Sequence, residues 1–165
     1  MRSKTLRVLG VGAALLLLLS VSAGADCLTV STPDSVDASP GDFVDAPISI
    51  TPGLDTAGVI GFLIVLNFDA THLQFQEVRD CVGGVVFPSS DWKPFTFNVI
   101  GNELRVAASG VLPLAGQGCF LVVRFRVSNL SPPSTCSAIH LTSVIFNAGT
   151  PCATLIDGSV CTACR

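Results

Sequence analysis

The sequence predicts an all-β domain of the sandwich class, and three observations lead to this prediction. After residue 25, apolar and polar residues alternate with a period of two, which is typical of strands with one buried face. Gly, Pro, Ser and Asp interrupt the alternating runs at short intervals, as expected between antiparallel strands. No apolar residues recur every three to four positions in this part of the chain, so no helix is predicted there.

Nine runs are predicted to be strands. Gly101 and Asn102 separate two cleanly alternating runs and predict a two-residue hairpin turn. Pro47 marks the second run as either an edge strand or a bulged strand. In chain order the runs are Leu28–Ser31, Phe43–Ile50, Val59–Phe68, Leu73–Val78, Phe95–Ile100, Glu103–Ser109, Cys119–Ser128, Ile139–Phe146 and Ala153–Val160.

The third run is the longest and is almost wholly apolar. Its alternation divides the side chains between two faces of a sheet. Phe62, Ile64, Leu66 and Phe68 share one face, and Gly61, Leu63, Val65 and Asn67 share the other.

Residues 1–25 have the three-part pattern of a secretory signal peptide. Three basic residues lie among the first seven, an apolar stretch follows from Leu9 to Leu19, and Ala23–Ala25 offers small residues for cleavage. The apolar stretch is shorter than the ~20 residues of a transmembrane helix. We therefore expect cleavage after residue 25, one domain over residues 26–165, and a secreted, extracellular or periplasmic protein. The alternatives are an uncleaved anchor and a lipid on Cys27, against which Asp26 argues.

The part of the chain after residue 25 is acidic and rich in cysteine. Of nine Lys and Arg residues, three lie in residues 1–25, whereas all twelve Asp and Glu lie beyond them, so residues 26–165 carry a formal charge of −6. Such a chain, without a basic cluster, is not expected to bind nucleic acid or a membrane surface. Export predicts disulfides, and an odd number of cysteines leaves at least one without a partner in the chain. The seven are Cys27, Cys81, Cys119, Cys136, Cys152, Cys161 and Cys164.

Five motifs, taken in order, resemble a cohesin domain. They are "SPGDFVDAPISI", "VIGFLIVLNFDATHLQFQEV", "GNELRVAASG", "GQGCFLVVRFRVSN" and "ATLIDGSV". The second resembles the most characteristic stretch of that family, a long apolar strand that ends in an aromatic residue and Asp before a turn. The resemblance extends over residues 27 to about 161.

The resemblance implies a fold, a function and two disulfides. It implies a nine-stranded jelly roll of two packed sheets, in which the third, fifth, sixth and eighth strands form one sheet. In cohesins the outer face of that sheet binds dockerin, a calcium-loaded helical module on a partner protein, without catalysis or a cofactor. The fourth and seventh strands would be antiparallel neighbours, which implies a Cys81–Cys119 disulfide. The first and last strands would be adjacent, which implies that Cys27 pairs with Cys152, Cys161 or Cys164.

This sequence departs from the family at the partner-binding strand. Gly61 and Leu63 stand where many cohesins present Asn and Asp to the dockerin. Leu63 and Val65 would instead form an apolar strip. Two interpretations stay open: a surface for a protein partner, or a strip that loops of the chain cover, such as residues 82–94. The candidate partner-binding residues are Gly61, Leu63, Val65 and Asn67.

Two other function classes are compatible with parts of the sequence. A carbohydrate-binding module shares this architecture, but such modules bind sugars on Trp and Tyr platforms, and this chain has one Trp and no Tyr. Polysaccharide is therefore the less favoured partner. Cys161 and Cys164 form a C-x-x-C motif, but it follows a strand rather than opening a helix, which disfavours redox activity. A single such pair also falls short of a zinc site.

The remaining polar residues predict no catalytic centre. His72 and His140 have no Ser or Cys partner in a recognisable motif, and the carboxylates are scattered. Asp69 is expected to cap its own turn; the alternative is a calcium site shared with Asp42 or Asp45. We therefore expect no catalytic residue, and the sequence carries no motif for a metal or cofactor.

Overall fold

The computed structural model describes residues 27–163, so the expected signal peptide and Cys164 lie outside the described residues. Within this range no helix is long and apolar enough to cross a membrane. The structure contains one short 3-10 helix, Ser90–Trp92, and eleven strands. The strands are β1 (Leu28–Ser31), β2 (Val36–Ala38), β3 (Phe43–Thr51), β4 (Gly61–Phe68), β5 (Leu73–Asp80), β6 (Thr96–Ile100), β7 (Glu103–Ser109), β8 (Gly118–Val127), β9 (Cys136–Phe146), β10 (Ala153–Ile156) and β11 (Gly158–Thr162).

The strands form two sheets that pack around one apolar core. The five-stranded sheet has the order β10-β1-β3-β8-β5, and the six-stranded sheet has the order β2-β11-β9-β4-β7-β6. Among the strands of residues 27–163, only β1 with β10 and β2 with β11 run parallel. The prediction of an all-β sandwich with two mostly antiparallel sheets is confirmed. The third, fifth, sixth and eighth predicted strands, now β4, β6, β7 and β9, lie in one sheet, as the resemblance implies.

The predicted count of nine strands is wrong, because both ends of the described chain cross from one sheet to the other. The predicted last strand divides at Asp157 into β10 and β11. The Asp157 carboxylate accepts a hydrogen bond from the backbone N–H of Leu141 at 2.8 Å. At Gly158 the backbone passes so close to Pro33 that a Cβ would lie 1.9 Å from the Pro33 carbonyl oxygen. Near Pro33 the chain also passes from β1 in the five-stranded sheet to β2 in the six-stranded sheet.

A loop of residues 82–94 closes one open side of the sandwich. Its Trp92 is fully buried and stacks on Phe62 with 6.1 Å between ring centroids. Phe87, from the same loop, meets the Trp92 ring edge-on at 5.8 Å. The indole N–H of Trp92 donates to the carbonyl oxygen of Leu112 at 3.0 Å, so this buried donor has a partner. The loop therefore contributes to the core.

The six cysteines in the described range form three disulfides: Cys27–Cys152, Cys81–Cys119 and Cys136–Cys161. The first two are among the pairings that the resemblance implies. The third joins residues that lie directly opposite each other on β9 and β11. It was not predicted, because β9 begins at Cys136 rather than at Ile139.

The Cys81–Cys119 disulfide holds the start of the 82–94 loop against β8. Beside it, the backbone N–H of Val85 donates to the carbonyl oxygen of Cys119 at 2.9 Å. Gly84 is required at this contact, because a Cβ there would lie 2.2 Å from the same oxygen, and its φ is +88°. The bridge thus fixes the loop that delivers Trp92 to the core.

Removing this bridge with the double change Cys81→Ala and Cys119→Ala is expected to lower the free energy of unfolding by about 2–4 kcal/mol, because the unfolded chain loses a 38-residue constraint. Chemical denaturation followed by circular dichroism measures the change. After complete reduction, the parent and the variant should unfold at the same denaturant concentration. An unchanged midpoint under oxidising conditions would show that the bridge does not stabilise the loop.

Candidate functional site

The candidate site lies on β4, in the interior of the six-stranded sheet between β9 and β7. The four side chains predicted for one face, Phe62, Ile64, Leu66 and Phe68, are buried. Gly61, Leu63, Val65 and Asn67 point away from the core and are half-buried. The predicted division of this strand into two faces is confirmed. The second set forms the middle of the outer face of the sheet.

Neighbouring strands extend the face in both directions. Leu63 pairs with Ala107 on β7 and with Ile145 on β9, so three apolar side chains form a row across three strands. We call Ala107, Leu63 and Ile145 the apolar stripe. Ile145 is 41% exposed, although it lies within a long strand. An exposed apolar row of this kind is typical of an interaction surface.

A shallow depression opens at one end of the apolar stripe, where Gly61 has no side chain. It encloses about 540 Å³ and is lined by Gly61, Leu63, Asp91, Ala107, Ile145 and Asn147, among others. We call it the Gly61 hollow. A Cβ built on Gly61 would meet Ser109 no closer than 3.6 Å. The hollow is therefore open space that a larger residue would occupy, and no neighbouring atom excludes a side chain at this position.

Polar groups fix the rim of the Gly61 hollow. The side-chain amide oxygen of Asn147 accepts the backbone N–H of Ile60 at 2.8 Å, and its nitrogen donates to the carbonyl oxygen of Thr150 at 3.0 Å. The Asp91 carboxylate accepts the backbone N–H of Val111. The Ser89 hydroxyl, followed by the Val111 N–H, lowers the pKa of Asp91. The rim therefore carries one fixed negative charge at neutral pH.

The opposite end of the outer face is polar. Asn67 pairs with Glu103 on β7 and with His140 on β9. His140 contacts the Asp157 carboxylate through Nδ1. A second depression of about 520 Å³ lies here and is lined by Asn67, Asn102 and His140, among others. The face therefore changes from apolar at Leu63 to polar at Asn67 along a single strand.

Of the two interpretations of the apolar strip, the structure excludes coverage by the 82–94 loop. That loop turns inward, with Trp92 fully buried against Phe62 on the core side of β4. Leu63 and Val65 retain partial exposure on the opposite side of the strand. Asp91, Trp92 and Pro94 of the loop border the Gly61 hollow, at one end of the apolar stripe.

Asp69 caps its own turn, as predicted. Its carboxylate accepts the Thr71 backbone N–H at 2.9 Å and contacts His72 Nδ1 at 2.8 Å. The Thr71 hydroxyl is the largest cause that lowers the pKa of Asp69. The alternative of a calcium site is not supported: Asp42 accepts the backbone N–H of Ser39, Asp45 accepts the Arg124 guanidinium, and no three acidic, His or Cys side chains of residues 27–163 form a metal-binding group.

Only the first cysteine of the C-x-x-C motif lies within the described residues. This residue, Cys161, lies within a strand and is bonded to Cys136. Cys161 is therefore not a free thiol, which disfavours the alternative of an oxidoreductase.

The cohesin domain model matches residues 29–160 of the sequence. The chain belongs to the cohesin domain family. No curated protein sequence matches it.

Solved cohesin structures share this fold. The sixth cohesin of Acetivibrio cellulolyticus scaffoldin B, solved with a mutated Cel5 dockerin, aligns with a TM-score of 0.70 at 17% identity over 82% of this chain and 99% of that chain. A type I cohesin–dockerin complex from Clostridium thermocellum gives 0.68 at 18% identity, over 83% and 99%. A non-cellulosomal cohesin from Archaeoglobus fulgidus gives 0.64 at 19% identity, over 84% and 92%.

Sequence reasoning missed three residues of this face: Ala107, Ile145 and Asp91. The alternation of β7 could have identified Ala107, because its buried neighbour Val106 sets the register. Ile145 could not be found in this way. A bulge in β9, where the register with β4 shifts between Val65 and Leu66, reverses the alternation.

Proposed function

We propose that this cohesin domain is an exported, non-catalytic module that binds a protein partner on the outer face of its six-stranded sheet. The observation that carries the proposal is the apolar stripe of Ala107, Leu63 and Ile145, which is partly exposed on the outer face of that sheet. Membership of the cohesin family supports a dockerin-type helical module as the class of partner. Three disulfides in residues 27–163 support an oxidising compartment, as export by residues 1–25 would require.

The chemistry of the face indicates an apolar contact rather than a polar one. Where many cohesins present Asn and Asp, this chain has the Gly61 hollow and Leu63. A partner helix with a bulky apolar side chain would place it in the hollow and remove the apolar stripe from water. The ionised Asp91 at the rim suits a Lys or Arg of the partner next to that apolar residue.

A carbohydrate partner is not favoured. Trp92, the only Trp of the chain, is fully buried, and the chain has no Tyr. The outer face therefore lacks a flat aromatic platform for sugar rings.

Replacing Ala107 by Arg is expected to weaken partner binding by about tenfold or more, because the new side chain lies over the apolar stripe and would bring a charge into the interface without a partner for it. The immobilised domain first captures its partner from extracellular proteins of the source organism. Mass spectrometry identifies the partner, and calorimetry with the purified partner then measures the affinity.

Thr29→Arg provides the matched control, because Thr29 lies on the outer face of the other sheet and is also partly exposed. Affinity should stay within about twofold of the parent for this variant. Equal affinities for Ala107→Arg and the parent would exclude this face as the binding site. If the captured protein lacks dockerin-type repeats, the outer face remains the binding site, but the partner belongs to a different class.

A further inference from the structure

The outer edge of β6 is an unpaired sheet edge. In the described chain β6 pairs only with β7 and ends the six-stranded sheet. All five of its residues, Thr96–Ile100, are exposed, including Phe97 at 48% and Ile100 at 58%. The strand contains no charged residue, no Pro and no Gly. It therefore presents free backbone N–H and C=O groups beside apolar side chains.

The other three sheet edges are protected in ways that natural proteins commonly use. β5 carries Glu77, Arg79 and Asp80, and a bulge interrupts its pairing after Phe75. β2 is only three residues long and has Asp37 at its centre. β10 has four residues and follows Cys152, which is bonded to Cys27. Of the four edge strands in residues 27–163, β6 alone is longer than four residues and has neither a charged residue nor a bulge.

We propose that β6 pairs with β6 of a second copy of this chain, antiparallel and centred on Asn98. In this register, Phe97 of each copy lies opposite Val99 of the other. Both residues face the core side, because they pair with the buried Val106 and Leu104 on β7. Thr96 lies opposite Ile100 of the second copy on the outer side. Cross-strand pairs of an aromatic with a β-branched residue are favourable, so the sequence of β6 is complementary to itself.

The two ends of β6 carry ion pairs rather than unpaired charges. Lys93, which precedes the strand, forms a salt bridge with Asp80. Glu103, which follows the hairpin turn at the other end, forms a salt bridge with Arg105. Neither end of the strand therefore carries an unpaired charge that would oppose an antiparallel dimer.

The dimer would join the two six-stranded sheets into one continuous sheet. A two-fold axis between antiparallel strands is perpendicular to the sheet, so both outer faces lie on the same side. If the proposed function holds, two partner sites would then lie side by side and could bind a partner with tandem modules more tightly than one site alone.

Sedimentation of the purified protein, without any partner, tests the dimer. The parent should shift from monomer to dimer as its concentration rises. Asn98→Lys places two like charges opposite each other at the two-fold axis and should weaken the dimer by about fivefold or more. Asn98→Asp should do the same. An equimolar mixture of the two variants should recover dimers, because the charges at the axis are then opposite.

Thr154→Lys is the matched control, since Thr154 is an exposed residue of β10, the edge strand at the end of the five-stranded sheet that lies away from β5 and β6. This variant should associate like the parent. A parent that remains monomeric at high concentration would overturn the proposal, as would Asn98 variants that associate normally or a mixture that does not recover dimers. The measurement does not depend on partner binding, so failure of the dimer and failure of the proposed function are separable.

Discussion

Replacing Leu63 by Asp is expected to abolish partner capture, with a loss of affinity of about a hundredfold or more. Leu63 is the central residue of the apolar stripe, between Ala107 and Ile145. In a complex this position would be removed from water. A carboxylate there would lose its hydration against apolar side chains, because the partner's cation is paired with Asp91, and this costs about 3 kcal/mol or more in binding.

Val122→Asp is the matched control for this change. Val122 is also a half-buried, outward-pointing apolar residue on an interior strand, but it lies on the five-stranded sheet, opposite Pro47 and Arg79. Calorimetry with the purified partner measures both variants, and thermal unfolding shows whether each is folded. If a folded Leu63→Asp variant still binds the partner, the apolar stripe is not part of the interface. Equal losses in both variants would indicate a general effect on the fold.

Replacing Trp92 by Ala is expected to lower the free energy of unfolding by about 3–5 kcal/mol, because a fully buried aromatic side chain leaves a cavity that its neighbours cannot fill. Phe62 and Phe87 pack on two sides of the indole. On a third side, the backbone at Gly110 is so close that a Cβ there would lie 2.2 Å from the indole nitrogen. The variant also leaves the Leu112 carbonyl without its donor.

Trp92→Phe separates these two contributions. It keeps an aromatic ring in the cavity and loses the hydrogen bond to Leu112, so a smaller decrease of about 1–2 kcal/mol is expected. Denaturation must be followed by circular dichroism, because Trp92 is the only Trp. A decrease below about 1 kcal/mol for Trp92→Ala would show that the loop does not contribute to the core. Because Asp91 is adjacent, Trp92→Ala should also disturb the rim of the Gly61 hollow.

The shared fold does not by itself specify the partner of this chain. The three cohesin structures compared above are each less than 20% identical to it. Gly61 and Leu63 stand where the resemblance places a polar pair in many cohesins, and the outer face has a hollow and an apolar row there instead. Specificity depends on the differences between the contacts available to rival partners. We therefore expect a partner that differs from dockerins with a polar recognition surface.

Local patterns in the sequence determined much of the fold. The alternation from Gly61 to Phe68 fixed which side chains of β4 are buried, because successive residues of a strand point to opposite faces. Gly101 and Asn102 fixed the hairpin between β6 and β7. The cysteines predicted disulfides, and their odd number predicted at least one cysteine without a partner in the chain, but the sequence did not determine which cysteines pair.

Only the tertiary structure decided the features that depend on long-range pairing. Strict alternation from Ile139 would bury Ile145 and expose Phe146, but the bulge in β9 reverses this, so Phe146 is buried and Ile145 joins the apolar stripe. The division of the last strand at Asp157 likewise depends on contacts with Pro33 and Leu141, which are distant in the sequence. The inward position of Trp92 depends on the space between two sheets. A local pattern specifies the direction of a side chain, whereas bulges, crossings and cavities depend on which strands meet and in which register.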